Sequence, residues 1–418
     1  MSQRPSFYGL YATREKHPTY RVDLTELFSA GLTRKGHRID WHMQAIDRSP
    51  TETVSLASGG KVFVGRAFGG ASLWRKVFNQ LAGLRHDFRL YRLAQREDYD
   101  FVQVRDKTFA ALVGLLAARS RGIPFFYWMS FPYPEADRFR ANDPEMNISL
   151  TLRSFYRLRG AWTAWLLYRV ILPRASHVFV QSDRMKDDVA RRGVVPEQMT
   201  AVPMGINLEQ VGATNGEEAT TPTLVYVGSL VRLRRIDFLL HMLKRVHEQV
   251  PEAELLLVGD GPARDMAFLK SETQRLGLTS KVRYTGFVPM SEAWTYIQHA
   301  TVCLSPLRPN PILDAGTPTK VIEYMAFNRV VVANRHPDQS KLLEESGAGY
   351  AVEYESDAFA QAVIELLRDP ESARRMGARG REYVRRHRSY AALTDALEAR
   401  YLELLGREQS LPLAEATR

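Results

Sequence analysis

One cysteine stands in the 418 residues, Cys303 within the apolar stretch VCLSPL. A disulfide framework is therefore excluded, and a lone thiol in such a stretch reads as a small buried hydrophobe in a reducing compartment. Long hydrophobic runs are missing too. FAALVGLLAA and AWTAWLLYRVIL are too short or too interrupted to span a bilayer. The opening MSQRPSFYGLYATREK has no apolar core, so no secretory leader and a cytoplasmic location are expected. No Asp-x-Asp triplet or His/Cys cluster falls in a loop suited to a metal, and no metal site is expected.

What is present is the composition of an ordinary globular protein, 45% hydrophobic and 25% charged. The length favours two domains over one core. The net charge is +10 and it is uneven. Up to residue 200 there are 31 Lys and Arg against 19 Asp and Glu; the remainder holds 26 against 28. A basic half beside a neutral half points to an anionic surface, membrane or nucleic acid, facing one domain. No nucleic-acid reader motif is visible, which disfavours the second.

Both halves alternate short apolar strands with amphipathic helices. SFYGLYA, RIDWHMQ, VFVGRA, DFVQVR, PFFYWMS and HVFVQS read as strands in the first half. TLVYVGSL, ELLLVGDG, VRYTGFV, VCLSPL and VVVAN do so in the second. This alternation predicts an α/β protein of two doubly wound, Rossmann-like domains facing each other across a cleft. The expected bounds are 1–205 for the N-terminal domain and 206–222 for a linker containing the polar VGATNGEEATTP. A second domain follows over 223–385, then a helix over 386–405 and a tail over 406–418. Ligands of such sheets bind beyond the C-terminal strand ends.

At one such end lies GTPTKVIEYMAFN, Gly316–Asn328. Thr317 suits the N-cap and Pro318 the first helical position, where its missing N–H costs nothing. The helix start and Lys320 would make an anion site. Glu323, one turn later, would repel phosphate and suit a pair of hydroxyls. Phosphate followed by diol describes a nucleotide. On this stretch alone an ordinary capped helix with a surface glutamate is the plainer reading. Three companions weigh against it: YVGSLVRLRRID with Gly228, Arg232, Arg234 and Arg235, VGDGPARD with Gly259, and YTGFVP with Gly286. Glycine at each strand end lets backbone approach a ligand.

In that order and spacing these segments resemble the donor-binding domain of retaining GT-B glycosyltransferases of family 4, over roughly residues 200–400; MGINLE resembles the family's domain junction. The first half is similar in outline only. The resemblance implies a nucleotide-diphosphate sugar as co-substrate and no cofactor or catalytic metal. It implies retention at the anomeric carbon by same-face attack, and a C-terminal helix returning to the N-terminal domain. By resemblance, Arg234 binds diphosphate in place of a lysine, Gly286, Phe287 and Val288 edge the base, and Thr319 and Lys320 reach phosphate. Glu323 holds the ribose, with Gly228, Gly259, Gly316 and Thr317 lining the pocket. The sequence departs at Ser229, where the family has arginine and Arg232 would supply the charge. It departs again at Ala315, where the family has a sugar-gripping glutamate and Asp314 is the substitute expected. Asn328 replaces a glycine, a mild change because asparagine tolerates the left-handed conformation.

For the acceptor side, Tyr20, Arg21, Ser130, Tyr133 and Glu135 lie in loops after strands; the last two would contact acceptor or merely shape a turn. LWRKVFNQLAGLRHDFRLYRLAQR carries an apolar stripe beside Arg85, Arg89, Arg92 and Arg96, with Gly83 as a candidate break. LRSFYRLRGAWTAWLLYRVILPR mixes arginines with Trp162 and Trp165. Basic and aromatic residues on one helix suit an anionic membrane surface, on the inner face of the plasma membrane, and a lipid-linked or glycoconjugate acceptor is expected there. A core-packed helix with a solvated arginine face has the same pattern. An inactive nucleotide-sugar-binding partner, and an epimerase on the same fold, are the alternatives.

Overall fold

Runs such as LVYV, LLLV and VVVA are branched and apolar without alternation, the pattern of strands covered on both faces. The computed structural model places them so. It describes residues 6–19, 21–47, 49–57, 59–68, 73–143, 148–212 and 221–407. Two units result, Met1–Pro203 with Leu393–Arg418, and Met204–Ala392.

The first unit holds β1 (Tyr8–His17), β2 (Arg38–Ala45), β3 (Glu52–Ser55), β4 (Lys61–Gly65), β5 (Phe101–Arg105), β6 (Phe125–Met129), β7 (His177–Val180) and β8 (Met199–Ala201). The order is β3-β4-β2-β1-β5-β6-β7-β8, parallel except for the β3–β4 pair. The second unit holds β9 (Thr223–Val227), β10 (Glu254–Val258), β11 (Val282–Tyr284), β12 (Val302–Ser305), β13 (Val331–Asn334) and β14 (Gly349–Val352). Their order is β11-β10-β9-β12-β13-β14, every pair parallel. Each sheet reverses direction once, between β1 and β5 and between β9 and β12. At such a switch point the flanking loops part and leave a crevice.

Packing follows from the burial of whole side chains. In the first unit Tyr401 stacks on Phe101 at 5.2 Å and its hydroxyl donates to Gln103 at 2.7 Å. In the second, Leu239, Leu243, Phe359 and Val363 fill one face, and Val321, Tyr324 and Phe327 the other. Each such side chain contributes about 2–3 kcal/mol of burial. The expected strands are found, though VRYTGFV pairs only over Val282–Tyr284 and the short β3 carries no alternation that would reveal it.

Two helical expectations change. Leu73–Ala94 is one helix, unbroken at Gly83. It also lies the other way round from its hydrophobicity. His86, Asp87, Leu90 and Ala94 are buried, while Trp74 (74% exposed), Phe78, Leu81, Phe88 (61% exposed) and Tyr91 face outward. The inward side is held by polar pairing. His86 stacks on His42 at 3.8 Å, the His42 imidazole bonds to the His86 carbonyl at 3.0 Å, and Lys107 pairs with Asp87. Burial lowers the basicity of both imidazoles, that of His86 to about 4, so the stack is neutral.

Candidate functional site

The second unit's switch point lies between the ends of β9 and β12, and the loops there carry Gly228 and Lys320. Gly228 has φ +150° and its N–H donates to the Val258 carbonyl at 2.8 Å. A Cβ on it would lie 2.7 Å from Lys320 Cε and 2.8 Å from Nζ. Gly259, φ +137°, comes closer still: its Cβ would fall 2.0 Å from the Gly228 carbonyl oxygen. Gly259 bridges to Gly286 across the strand ends, and its N–H bonds the Thr285 hydroxyl at 3.3 Å. Only glycine fits where backbone and a lysine side chain share this space.

Lys320 sits in the first turn of the helix Thr319–Ala326. Its ammonium donates to the Tyr226 hydroxyl at 3.1 Å and lies 4.5 Å over that ring. Burial, then the neighbouring Arg234, lowers its pKa to about 7, against the opposing pull of Glu323. Burial pushes the Tyr226 hydroxyl up to about 12, opposed by the positive charge of Arg234. Burial raises Glu323 as well, opposed by the Thr319 side chain and Lys320. Two cations and one carboxylate thus share a partly desolvated corner with an uncapped helix start. The corner is short of negative charge and suits a diphosphate, with a carboxylate one turn on for hydroxyls.

The helix begins one residue later than the sequence suggested. Pro318 is its extended N-cap (φ −71°, ψ 117°), so Thr317 is not the capping residue. Asn328 adopts φ +58°, as its replacement of glycine requires. Phe287 is 82% exposed beyond β11, while Val288 packs against the core. The Ser229 carbonyl accepts from Tyr226 at 3.5 Å. Arg232 lies with its guanidinium 4.8 Å over the Phe268 ring, on the helix Ala263–Arg275 and not beside Lys320. Arg235 is held bidentate by Asp237. Gly316 and Asp314 close the short turn Pro311–Asp314 next to buried Ala315, and Asp314 does not figure in the surroundings of Lys320 or Glu323. Sequence reading missed two tyrosines. Tyr226 is the cation's seat, and the Tyr324 hydroxyl accepts from the Val227 N–H at 3.0 Å, fixing helix to strand end. Their signal was a tyrosine inside an aliphatic strand and another in an otherwise aliphatic helix face.

In the first unit, Ser130 donates from N–H and hydroxyl to Asp106, the former at 2.9 Å. Arg14 covers the Tyr133 ring at 4.0 Å. Arg21 donates to Asp23 at 3.2 Å, and Asp23 in turn pairs with buried Arg105 at 2.6 Å. Glu135 accepts from Tyr168 at 3.2 Å and pairs with Arg192 at 2.8 Å, which makes it a brace between helices. Tyr20 lies outside the described residues. On the outward helices Arg85, Arg89 and Arg92 are exposed, as are Leu158 (77%), Trp162 (63%) and Trp165. Among the described residues no helix is long and apolar enough to cross a membrane.

Two units, each built on a largely parallel sheet with a switch point, have the GT-B fold of glycosyltransferases. The sequence matches agree. Residues 221–369 match the family Glycosyl transferases group 1, and residues 24–210 match Glycosyltransferase Family 4. The chain belongs to the group 1, family 4 glycosyltransferases. It is 30% identical over 166 residues to the GDP-mannose-dependent alpha-(1-6)-phosphatidylinositol monomannoside mannosyltransferase of Mycolicibacterium smegmatis, covering 39% of this chain and 43% of that one. The chain spans less than two thirds of the length of the curated relatives it matches. The solved sucrose-phosphate synthase of Thermosynechococcus elongatus superposes with TM-score 0.69 at 18% identity, covering 95% of this chain and 99% of that one. Anabaena HepE in complex with UDP-glucose superposes with TM-score 0.63 at 15% identity, covering 95% and 100%. At such identities these two share the fold.

Proposed function

We propose that this chain transfers a sugar, with retention and without a catalytic metal, from a nucleotide-diphosphate sugar to a hydroxyl acceptor at the cytoplasmic membrane face. The observation that carries the reading is the Lys320–Tyr226–Arg234–Glu323 corner at the β9/β12 switch point. Lys320, Arg234 and the helix start would hold the diphosphate, and Glu323 the ribose. Gly286, Phe287 and Val288 would edge the base. The relatives' named ligands, GDP-mannose and UDP-glucose, make guanosine and uridine diphosphate sugars the donors to test.

In the proposed reaction the bond from the anomeric carbon to the diphosphate oxygen breaks, and the acceptor oxygen bonds to that carbon on the same face. The acceptor's proton passes to the departing phosphate. The protein's part is to orient both substrates and to hold the charge that grows on the leaving group, which fixed cations do well in a desolvated corner. Asp314 is proposed to contact the transferred sugar. The Ser130–Asp106 pair, Arg21 and Tyr133 are proposed to face the acceptor. The outward apolar and arginine residues of Leu73–Ala94 and Leu150–Trp165 support the membrane setting. Ala315 favours a second reading, a nucleotide-sugar-binding protein without turnover, because no carboxylate stands at that position.

A panel of uridine and guanosine diphosphate sugars, read by thermal shift and by donor hydrolysis, tests the proposal. At least one donor should stabilise the fold, by about 2.7 kcal/mol at a hundred times its Kd, and be consumed. Stabilisation without consumption under any acceptor would favour the second reading. No stabilisation by any donor would overturn both.

A further inference from the structure

The loop from β12 to the helix Thr319–Ala326 leads into the anion corner. It carries Pro306, Pro309, Pro311 and Pro318, which lack N–H groups and so leave the loop few bonds of its own. Burial does not hold it either. From residue 307 to 316 only Ala315 is buried, and Leu313 is 47% exposed. Such a segment keeps one shape against its own entropy when its ends are fastened from outside.

The fastening comes from the segment at the end of β13, where Asn334, His336 and Gln339 are all buried. The Asn334 side-chain oxygen accepts from the Leu307 N–H at 2.6 Å and pins the start of the loop. The Ser305 hydroxyl donates to Gln339 Oε1 at 2.6 Å, and Gln339 Nε2 donates to the Asn334 carbonyl at 3.2 Å. Strand end and pin are thereby locked together, as satisfied buried polar networks do. At the far end His336 Nε2 lies 3.1 Å from the Leu313 carbonyl. The tautomer follows from the other ring nitrogen. Nδ1 accepts from the Asp338 N–H at 3.2 Å and from the Gln339 N–H at 3.5 Å, where it caps the helix Pro337–Ser346. Nε2 therefore carries the hydrogen and donates to Leu313. The same carbonyl receives the Gly316 N–H at 2.9 Å, which closes the turn 311–316.

One imidazole thus ties a helix start to a turn on a different loop. A cap alone needs no second bond, and serine, aspartate or asparagine would supply one as well. What histidine adds is the bond to Leu313. The turn it reaches ends three residues, at most about 11 Å, before the start of the helix Thr319–Ala326. A sugar joined to a diphosphate at that helix start would lie alongside the turn.

We propose that His336 is a positioning residue for the transferred sugar, holding the turn 311–316, with Asp314, in place beside the helix start. The proposal rests on the glycosyl-transfer reading and divides the grip on the donor in two. Lys320, Arg234 and Glu323 hold the nucleotide, and the turn secured by His336 holds the sugar.

His336→Asn separates the two bonds, because asparagine caps a helix and is too short to reach Leu313. Its melting temperature should match the wild type. Calorimetry with UDP and GDP, and rates with the uridine and guanosine diphosphate sugars, test the division in the full chain. The nucleoside diphosphate that binds the wild type should bind His336→Asn equally. Affinity for the matching sugar donor should fall about threefold to tenfold, and kcat for its consumption about tenfold to a hundredfold. Asp314→Ala, on the turn itself, should show the same split. The double variant should lose no more than the worse single one, since His336 acts through that turn. The proposal is overturned if His336→Asn consumes donor at the wild-type rate, or if it loses nucleoside diphosphate in step with sugar donor. It is overturned too if the two single losses multiply in the double variant. A wild type that neither binds nor consumes any donor overturns the glycosyl-transfer reading, and this proposal with it.

Discussion

The two units use the same residue types, arginine or lysine beside an aromatic ring, to opposite ends. In the second unit Lys320 lies over Tyr226 in a concave corner where burial lowers its basicity. In the first, Arg85, Arg89 and Arg92 stand exposed beside Phe88 and Tyr91 on the outside of a helix. A cation in a desolvated corner acts strongly at short range on one ligand. A row of exposed cations is screened within about 8 Å at physiological salt, so it acts weakly per residue and on a surface rather than a molecule. Burial, more than composition, separates the corner proposed to take a molecule from the helix face proposed to meet a membrane.

The largest effect should come from spoiling the concavity. Gly228→Ala would push a Cβ against Lys320, and transfer should fall about 10²–10³-fold with the fold retained, read by steady-state rates beside circular dichroism. Normal rates would mean that the Lys320 position is unimportant. On the convex side, Trp162→Glu/Trp165→Glu should lower partition onto anionic vesicles by roughly a hundredfold, since each buried aromatic contributes about 1.5–3 kcal/mol. Unchanged pelleting would remove that helix from the membrane face. The salt dependence should differ as well, steep for vesicle binding and shallow for nucleotide binding.

A smaller effect concerns what holds the outward helix in place. His42 and His86 are depressed below the usual histidine value, so the unfolded chain takes up protons first as pH falls. The stability they contribute is complete above about pH 6.5 and is lost as pH falls below it, for His86 toward about 4. Melting curves from pH 7 to 5 should show a loss of stability of which about 2 kcal/mol comes from His86 and is absent in His86→Gln. A flat profile would contradict the neutral stack.

Much of this was legible in the sequence, and the reasons are specific. The aliphatic runs located the strands because parallel strands are covered on both faces. Glycines at strand ends, with Lys320 and Glu323 one helical turn apart, located the corner. Tyr226 escaped notice because its role depends on which face of β9 it occupies beside a helix far along the chain. The helix Leu73–Ala94 was read as a stripe of apolar residues with arginines beside it. Nothing local revealed that polar His86 and Asp87, rather than Trp74 and Phe88, would turn inward. Their partners His42 and Lys107 come from other elements. Glu135 shows the same limit from the other side, since Tyr168 and Arg192 make it a brace.

The central claim is that Lys320 receives the donor diphosphate, and its low basicity makes that claim measurable. A pKa near 7 in the free protein should rise when an anion binds, so donor binding at pH 8 should take up a proton. Affinity should fall as pH rises above that value. Calorimetric titration of the donor nucleotide at pH 8, in two buffers of different ionisation enthalpy, reads affinity and proton uptake together. The account predicts net uptake in the wild type, and in Lys320→Ala both loss of the uptake and weakening by about 2–3 kcal/mol. Equal affinity and equal proton exchange in the two proteins would contradict it.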